Sequence, residues 1–154
     1  MDECYRIIKP VDVEAVAAEI GRLQFIRVNQ TVKDKCACNV LLEGHFTPLI
    51  KQFIAELRLG GRQARAVFRQ LPKGNGIEPH NDAWMPEELD WRRFQIPIVT
   101  HPSIVMRWPD DGVEVHLAKG FIYEVNYGRM HEVINTQTEI DRVHLQIDQI
   151  DATI

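Results

Sequence analysis

The 154-residue sequence lacks the marks of several protein classes. It has no run approaching the roughly 20 apolar residues that cross a bilayer. Its first ten residues, MDECYRIIKP, start with acids and hold no apolar signal core. No secretory leader and no membrane partner are therefore expected, and a cytoplasmic location is. Clustered positive charge is scarce: 18 Lys and Arg stand against 22 Asp and Glu, for a formal charge of −4 and a pI near 5.8. This argues against a nucleic-acid-binding surface. Arg58, Arg62, Arg65 and Arg69 do bunch, but acids follow soon after, and the run reads as a solvated face with room for one functional member. Cysteine is sparse and odd in number (Cys4, Cys36, Cys38). The CAC spacing is too tight for a zinc knuckle and no second pair follows, so all three are expected to be reduced thiols. Repeats, low-complexity tracts and linker-like runs are missing too, which leaves a single domain large enough to bury its own core.

What is present begins with two helices in the N-terminal third. Asp12 is the candidate cap of the first, where Val13, Val16, Ala17, Ile20 and Leu23 recur at helical spacing. The second has Thr47 as cap, Pro48 at its first position and Gly60–Gly61 as its stop, with Leu49, Ile50, Phe53, Ile54 and Leu57 as an apolar stripe. From residue 64 the pattern changes to short strands near 64–71, 94–100, 104–108, 113–117, 121–126 and 142–149. Helices first and strands afterwards point to an α+β arrangement or a helix-covered β-barrel. Parity adds detail. Arg142, His144, Gln146 and Asp148 share one face of the last strand, and Val143, Leu145 and Ile147 the other. Arg93 and Gln95 likewise stand opposite Phe94, Ile96 and Ile98. The polar face is either wet or the lining of a cavity, and parity alone does not choose.

Among six histidines, His80 stands out because Asp82 follows two residues later in GIEPHNDAW. In an extended segment that spacing turns an imidazole and a carboxylate to the same side, where both reach one ion about 2 Å away. His131, in NYGRMHEVIN, is the candidate third ligand. Two His and one carboxylate form the facial triad of non-haem Fe(II) oxygenases, although the same geometry also admits Zn²⁺ or Mn²⁺. Such an iron leaves positions for a bidentate co-substrate and O₂, and a dicarboxylic co-substrate needs a cation for its far end. Arg142, 11 residues beyond His131, offers a planar fork for it.

The ordered set His80-x-Asp82, His131, Arg142 resembles the pattern of Fe(II)/2-oxoglutarate-dependent dioxygenases. The stretches LPKGNGIEPHNDAW, RRFQIPIVTHPSIVMRW and KGFIYEVNYGRMHEVINTQTEIDRVHLQID, from about 66 to 148, are similar to the aspartyl/asparaginyl β-hydroxylase-like family, which includes bacterial proline 3-hydroxylases. The resemblance implies a mainly β fold, a double-stranded β-helix (jelly-roll, cupin-like) with helices packed on the outer face of the major sheet. The N-terminal third is not carried by the resemblance; with it the chain reads as one dioxygenase domain over 1–154, with a helical part to about 63 and the β-helix core over about 64–150. The resemblance further implies Fe(II) on His80, Asp82 and His131, the distal carboxylate of 2-oxoglutarate on Arg142, and an additional contact from Arg93. Gln95 stands where the family often has His, which alters one co-substrate contact. His144, Trp84 and Asn135 are candidate pocket-lining residues; Asn135 matches a supporting position, and Trp84 and Trp91 wall the pocket or cap the core. The insert MPEELDW makes the interval from His80 to Arg93 longer than the family's. The implied reaction is hydroxylation of an unactivated C–H bond on an amino acid or on an aspartyl, asparaginyl or prolyl side chain. O₂ is consumed, and succinate and CO₂ are released, by a monomer or homodimer. A cupin-like metal enzyme that does not use 2-oxoglutarate, and a non-catalytic small-molecule-binding barrel, are the alternatives.

Overall fold

The computed structural model describes residues 3–27, 38–82, 89–136 and 139–152. Trp84, Cys36 and most of the MPEELDW insert lie outside the described residues. In chain order the elements are β1 (Tyr5–Pro10), α1 (Glu14–Ile20), β2 (Ile26–Arg27), β3 (Asn39–Leu42), α2 (Pro48–Leu57), β4 (Arg62–Leu71), β5 (Ile77–His80), β6 (Leu89–Val99), β7 (Ile104–Trp108), β8 (Val113–Val115), β9 (Phe121–Val125), β10 (His131–Asn135) and β11 (Arg142–Ala152).

The helices form where the pattern predicts. Thr47 caps α2 by accepting from the Ile50 N–H through Oγ1 at 3.4 Å, and Pro48 follows at the first position. The helix stops at Arg58, whose left-handed φ of 48° ends it before the two glycines are reached. Asp12 Oδ1 accepts from the Glu14 N–H at 3.0 Å at the start of α1. The N-terminal third is nonetheless not helical throughout: β1, β2 and β3 lie in it. β2 has only two residues, and NVLL of β3 is a continuous apolar run that periodicity does not separate from a helix segment. Cys38 is disulfide-bonded, which corrects the expectation of three thiols; Cys4 is a buried free thiol.

Two antiparallel sheets face each other. The larger runs β1-β9-β6-β11-β4-β3-β2 and the smaller β5-β10-β7-β8. From β4 to β11 the chain crosses repeatedly between the sheets, which is a jelly-roll arrangement. No helix among the described residues is long and apolar enough to cross a membrane.

The register turns strand parity into rows across the three central strands of the large sheet. Phe68–Leu145–Ile96 and Ala66–Ile147–Phe94 lie side by side on β4, β11 and β6. Both rows are buried in one core cluster with Val16 and Ile20 of α1 and Ile50 and Leu57 of α2. The alternate residues form rows of another kind: Arg65–Asp148–Arg93, Val67–Gln146–Gln95 and Arg69–His144–Pro97. These face the small sheet.

Candidate metal centre and anion cavity

Between the sheets lies a cavity of about 650 Å³. The large sheet supplies Arg65, Arg69, Arg93, Gln95, Arg142, His144 and Gln146, and the small sheet supplies His80, Met106, His131 and Val133. The polar face of the last strand is therefore cavity lining and not a wet surface. Gln146, His144, Arg142 and Asp148 are all buried.

His80 and His131 are register partners on β5 and β10, with ring centroids 4.4 Å apart. Gly76 lets the two strands approach. A Cβ there would meet the Val133 carbonyl oxygen at 2.6 Å, a separation that real Cβ atoms do not show. Each imidazole is oriented by its own backbone. His80 Nδ1 lies 2.8 Å from the Glu78 carbonyl oxygen, and His131 Nδ1 lies 2.7 Å from that of Arg129. A carbonyl only accepts, so both Nδ1 atoms carry the proton and both Nε2 lone pairs are left for an ion. Asp82 Oδ1 stands 3.9 Å from His80 Nε2, and the ligand atoms of His80, Asp82 and His131 all lie within 4.8 Å of one another. Metal bonds of about 2 Å draw such a set together with small side-chain movement, so these residues fit a divalent ion. Burial, set against a hydrogen bond to Arg129, holds the His131 imidazole below its ordinary range, and neighbouring His80 adds to this; both favour the neutral, ligating form.

Arg142 is the electrostatic oddity of the cavity. It is buried, and no carboxylate among the described residues forms an ion pair with it. Desolvation alone pulls its guanidinium down to about 10. Its Nε donates to His144 Nε2 at 3.1 Å, and Nη2 lies 3.0 Å from His144 Nδ1. His144 Nδ1 is also 3.1 Å from Gln95 Oε1. A neutral imidazole satisfies this arrangement, with one nitrogen accepting from Arg142 and the other donating to Gln95. Burial first, then the adjacent Arg142 and His116, hold His144 well below 6.5 and keep it neutral.

The polar contacts continue across the cavity floor. Gln95 Nε2 donates to Gln146 Oε1 at 3.4 Å, and Gln146 Nε2 to Asp148 Oδ2 at 3.3 Å. Asp148 takes Arg93 in a two-point contact (Nε to Oδ1 2.7 Å, Nη2 to Oδ2 3.1 Å) and Arg65 Nη2 at 2.7 Å. Arg93 Nη1 in turn donates to Asp82 Oδ2. Burial would raise the Asp148 carboxyl, but Arg93 and Arg65 outweigh it and hold the group below its ordinary range. A connected row of hydrogen bonds thus runs from Arg142 to the candidate metal ligand Asp82.

The remaining candidates separate clearly. Gln95 and His144 line the cavity. Arg92 points to the other side of its strand, where Glu124 accepts from its Nε at 3.0 Å and its Nη2 at 2.9 Å; Arg93, not Arg92, faces the cavity. Asn135 is not among the lining residues. Its Nδ2 donates to the Asn75 carbonyl at 3.2 Å and ties down the turn before β5. Trp91 is not among them either, and its carbonyl receives the Tyr127 hydroxyl at 3.0 Å. The sequence reading missed Tyr127 and Arg69 as lining residues and Asp148 as the hub of the ion row. Alternation of Arg65, Val67 and Arg69 with Ala66 and Phe68 is a signal that would have found the arginines. Four arginines and one carboxylate, Asp82, line the cavity. Even with Asp148 counted, positive charge exceeds negative by two, in a chain of net charge −4.

The chain shares its fold with two solved prolyl hydroxylases and an epimerase. It superposes on a Pseudomonas putida prolyl-4-hydroxylase with a TM-score of 0.70 at 17% identity, covering 99% of this chain and 95% of that one. A viral collagen prolyl hydroxylase from Paramecium Bursaria Chlorella virus-1, in complex with 2OG, gives 0.63 at 9% identity over 99% and 98% of the two chains. SnoN, a non-heme alpha-ketoglutarate-dependent epimerase from nogalamycin biosynthesis, gives 0.65 at 14% identity over 98% and 80%. No family model matches the sequence, and no curated protein does.

Proposed function

We propose that the chain is an Fe(II)/2-oxoglutarate-dependent dioxygenase that hydroxylates an unactivated C–H bond of an amino acid or of an aspartyl, asparaginyl or prolyl side chain. The stretches around His80, Arg93 and His131 resemble those of the aspartyl/asparaginyl β-hydroxylase-like group. The observation that carries this reading is the pairing of two features in one cavity. A His-Asp-His set with both Nε2 lone pairs available stands on one side, and a buried guanidinium without a carboxylate partner among the described residues stands on the other. A buried unpaired cation is costly, and a bound carboxylate offsets that cost. A dicarboxylate that also chelates a metal satisfies both features at once. The fold shared with two hydroxylases and an alpha-ketoglutarate-dependent epimerase supports the reading.

In this reading His80, Asp82 and His131 hold the iron, which supplies O₂-driven oxidative decarboxylation of the co-substrate to succinate and CO₂ and the oxidising power for C–H hydroxylation. Arg142 receives the distal carboxylate of 2-oxoglutarate through its fork. His144 and Gln95 keep that guanidinium from turning, because each spends its hydrogen bonds on the row and not on solvent. Succinate formation in air tests the proposal, with Fe(II), 2-oxoglutarate and a panel of free amino acids and short prolyl, aspartyl and asparaginyl peptides. The native chain should form succinate and His131→Ala should form none. A folded native chain that neither forms succinate nor binds 2-oxoglutarate in the presence of a divalent ion overturns it.

A further inference from the structure

Two arginines are expected to meet the same co-substrate, yet their surroundings differ. Among the described residues, Arg142 has no acid in ion-pair contact with it. Arg93 is 7% exposed and committed on both sides. Its Nε/Nη2 edge is filled by Asp148, its Nη1 by Asp82 Oδ2, and its guanidinium carbon lies 5.1 Å from the centroid of the Tyr127 ring. Three of its five N–H groups are thus taken, and an incoming carboxylate would meet a guanidinium already shared by two acids. Burial lowers the Arg93 guanidinium, and Asp148 and Asp82 together reverse this and raise it.

Asp148 in turn is anchored to the sheet. It is the register partner of Arg93 on one side and Arg65 on the other, so the backbone ladder itself sets the ion row Arg65–Asp148–Arg93. Through Arg93 the large sheet reaches across the cavity to a residue just beyond β5 of the small sheet. Asp82 is also held from its backbone, whose N–H donates to the Tyr127 carbonyl at 3.0 Å. With the main chain pinned and Oδ2 occupied, Oδ1 is the oxygen left facing His80 Nε2.

We propose that Arg93 is a positioning residue for Asp82, buttressed by Asp148, and not an anchor for the co-substrate. Asp148→Asn paired with Arg93→Gln removes one charge of each sign, so the geometry is lost while the cluster's net charge is kept. The proposal rests on the metal-centre reading above, and its test separates the two.

Co(II) affinity is measured by visible absorption, and 2-oxoglutarate affinity by calorimetry at saturating Co(II), with folding checked by circular dichroism. In the folded R93Q/D148N variant, Co(II) affinity should fall about tenfold or more, as expected when the group orienting a ligand is removed. Affinity for 2-oxoglutarate at saturating metal should stay near native, because no contact to the co-substrate is removed. Arg93→Lys keeps the charge beside Asp148 but lacks the fork that bridges two carboxylates; it should show the same split to a smaller degree and covers the case in which the double variant does not fold. Unchanged Co(II) affinity with weakened 2-oxoglutarate binding makes Arg93 a co-substrate ligand and overturns the proposal. An equal loss of both makes the row merely structural, which also overturns it. A native chain that binds no Co(II) removes the metal-centre reading itself, a failure visible before any variant is made.

Discussion

The two sides of the large sheet are built from the same three strands and do opposite things. On one side Phe68, Leu145, Ile96, Ala66, Ile147 and Phe94 pack against α1 and α2 with little or no exposure. On the other, one residue further along each strand, Asp148, Arg93, Gln146 and His144 are buried as well, but as a hydrogen-bonded row whose other members, Arg65 and Gln95, are half-buried. The apolar side stabilises the fold through area removed from water. The polar side costs desolvation, which hydrogen bonds along the row offset in part; Arg142 is hydrogen-bonded to His144 but forms no ion pair among the described residues. The buried charge without an acid, and not the polar face as such, is what singles out Arg142 as the proposed carboxylate site.

Substitutions on the two sides should therefore separate stability from binding. The largest expected effect is on the apolar side. Phe94→Ala should lower the unfolding free energy by about 3–5 kcal/mol, as large-to-small changes at fully buried sites do. Metal and 2-oxoglutarate affinities of the folded fraction should stay near native. Denaturant melts and calorimetry check this, and a loss of affinity without loss of stability would break the comparison.

Arg142→Met should do the reverse. Affinity for 2-oxoglutarate should fall by roughly a hundredfold, or about 2.7 kcal/mol, in keeping with the loss of a buried charge-assisted pair. The thermal midpoint of the ligand-free protein should change little, because removing a buried guanidinium that has no ion pair among the described residues offsets the loss of its hydrogen bond to His144.

A smaller effect concerns pH. The folded protein keeps His144 neutral well below 6.5, while the unfolded chain takes up a proton near that value. The unfolded state thus binds more protons as pH falls, and stability is lost below about pH 6.5, with a slope of up to about 1.4 kcal/mol per pH unit from this one group. His144→Asn retains an acceptor for Arg142 and a donor for Gln95, and should flatten the decline by about one proton in urea melts at pH 7.5 and 5.5. An unchanged slope would mean that His144 is not held neutral. The smallest effect belongs to Arg65, whose side chain is 40% exposed. Arg65→Ala should cost less than about 1 kcal/mol, since Arg93 still satisfies Asp148.

Much of this was legible in the residues. Strand parity separated Arg142, His144, Gln146 and Asp148 from Val143, Leu145 and Ile147, and the structure keeps that division. Thr47, Pro48 and the stripe that follows marked α2 to within a turn. The structure brings His80, Asp82 and His131 together as a set that can hold an ion. What stayed hidden depends on register across strands. Nothing in the local sequence says that Asp148 stands between Arg65 and Arg93, because those partners are 83 and 55 residues away. The bunched arginines looked like a solvated face because their acid lies on another strand. Tyr127 gave no signal at all, since its contribution to Asp82 is a main-chain carbonyl. The edge strands β1 and β2 are too short or too irregular in pattern to stand out.

The most direct test of the central claim is an anaerobic titration of the native chain with Fe(II) followed by 2-oxoglutarate. The account predicts a weak visible charge-transfer band that requires both additions, is lost in His131→Ala, and needs a much higher 2-oxoglutarate concentration in Arg142→Met. A folded native chain that binds iron but shows no such band at saturating 2-oxoglutarate would contradict it.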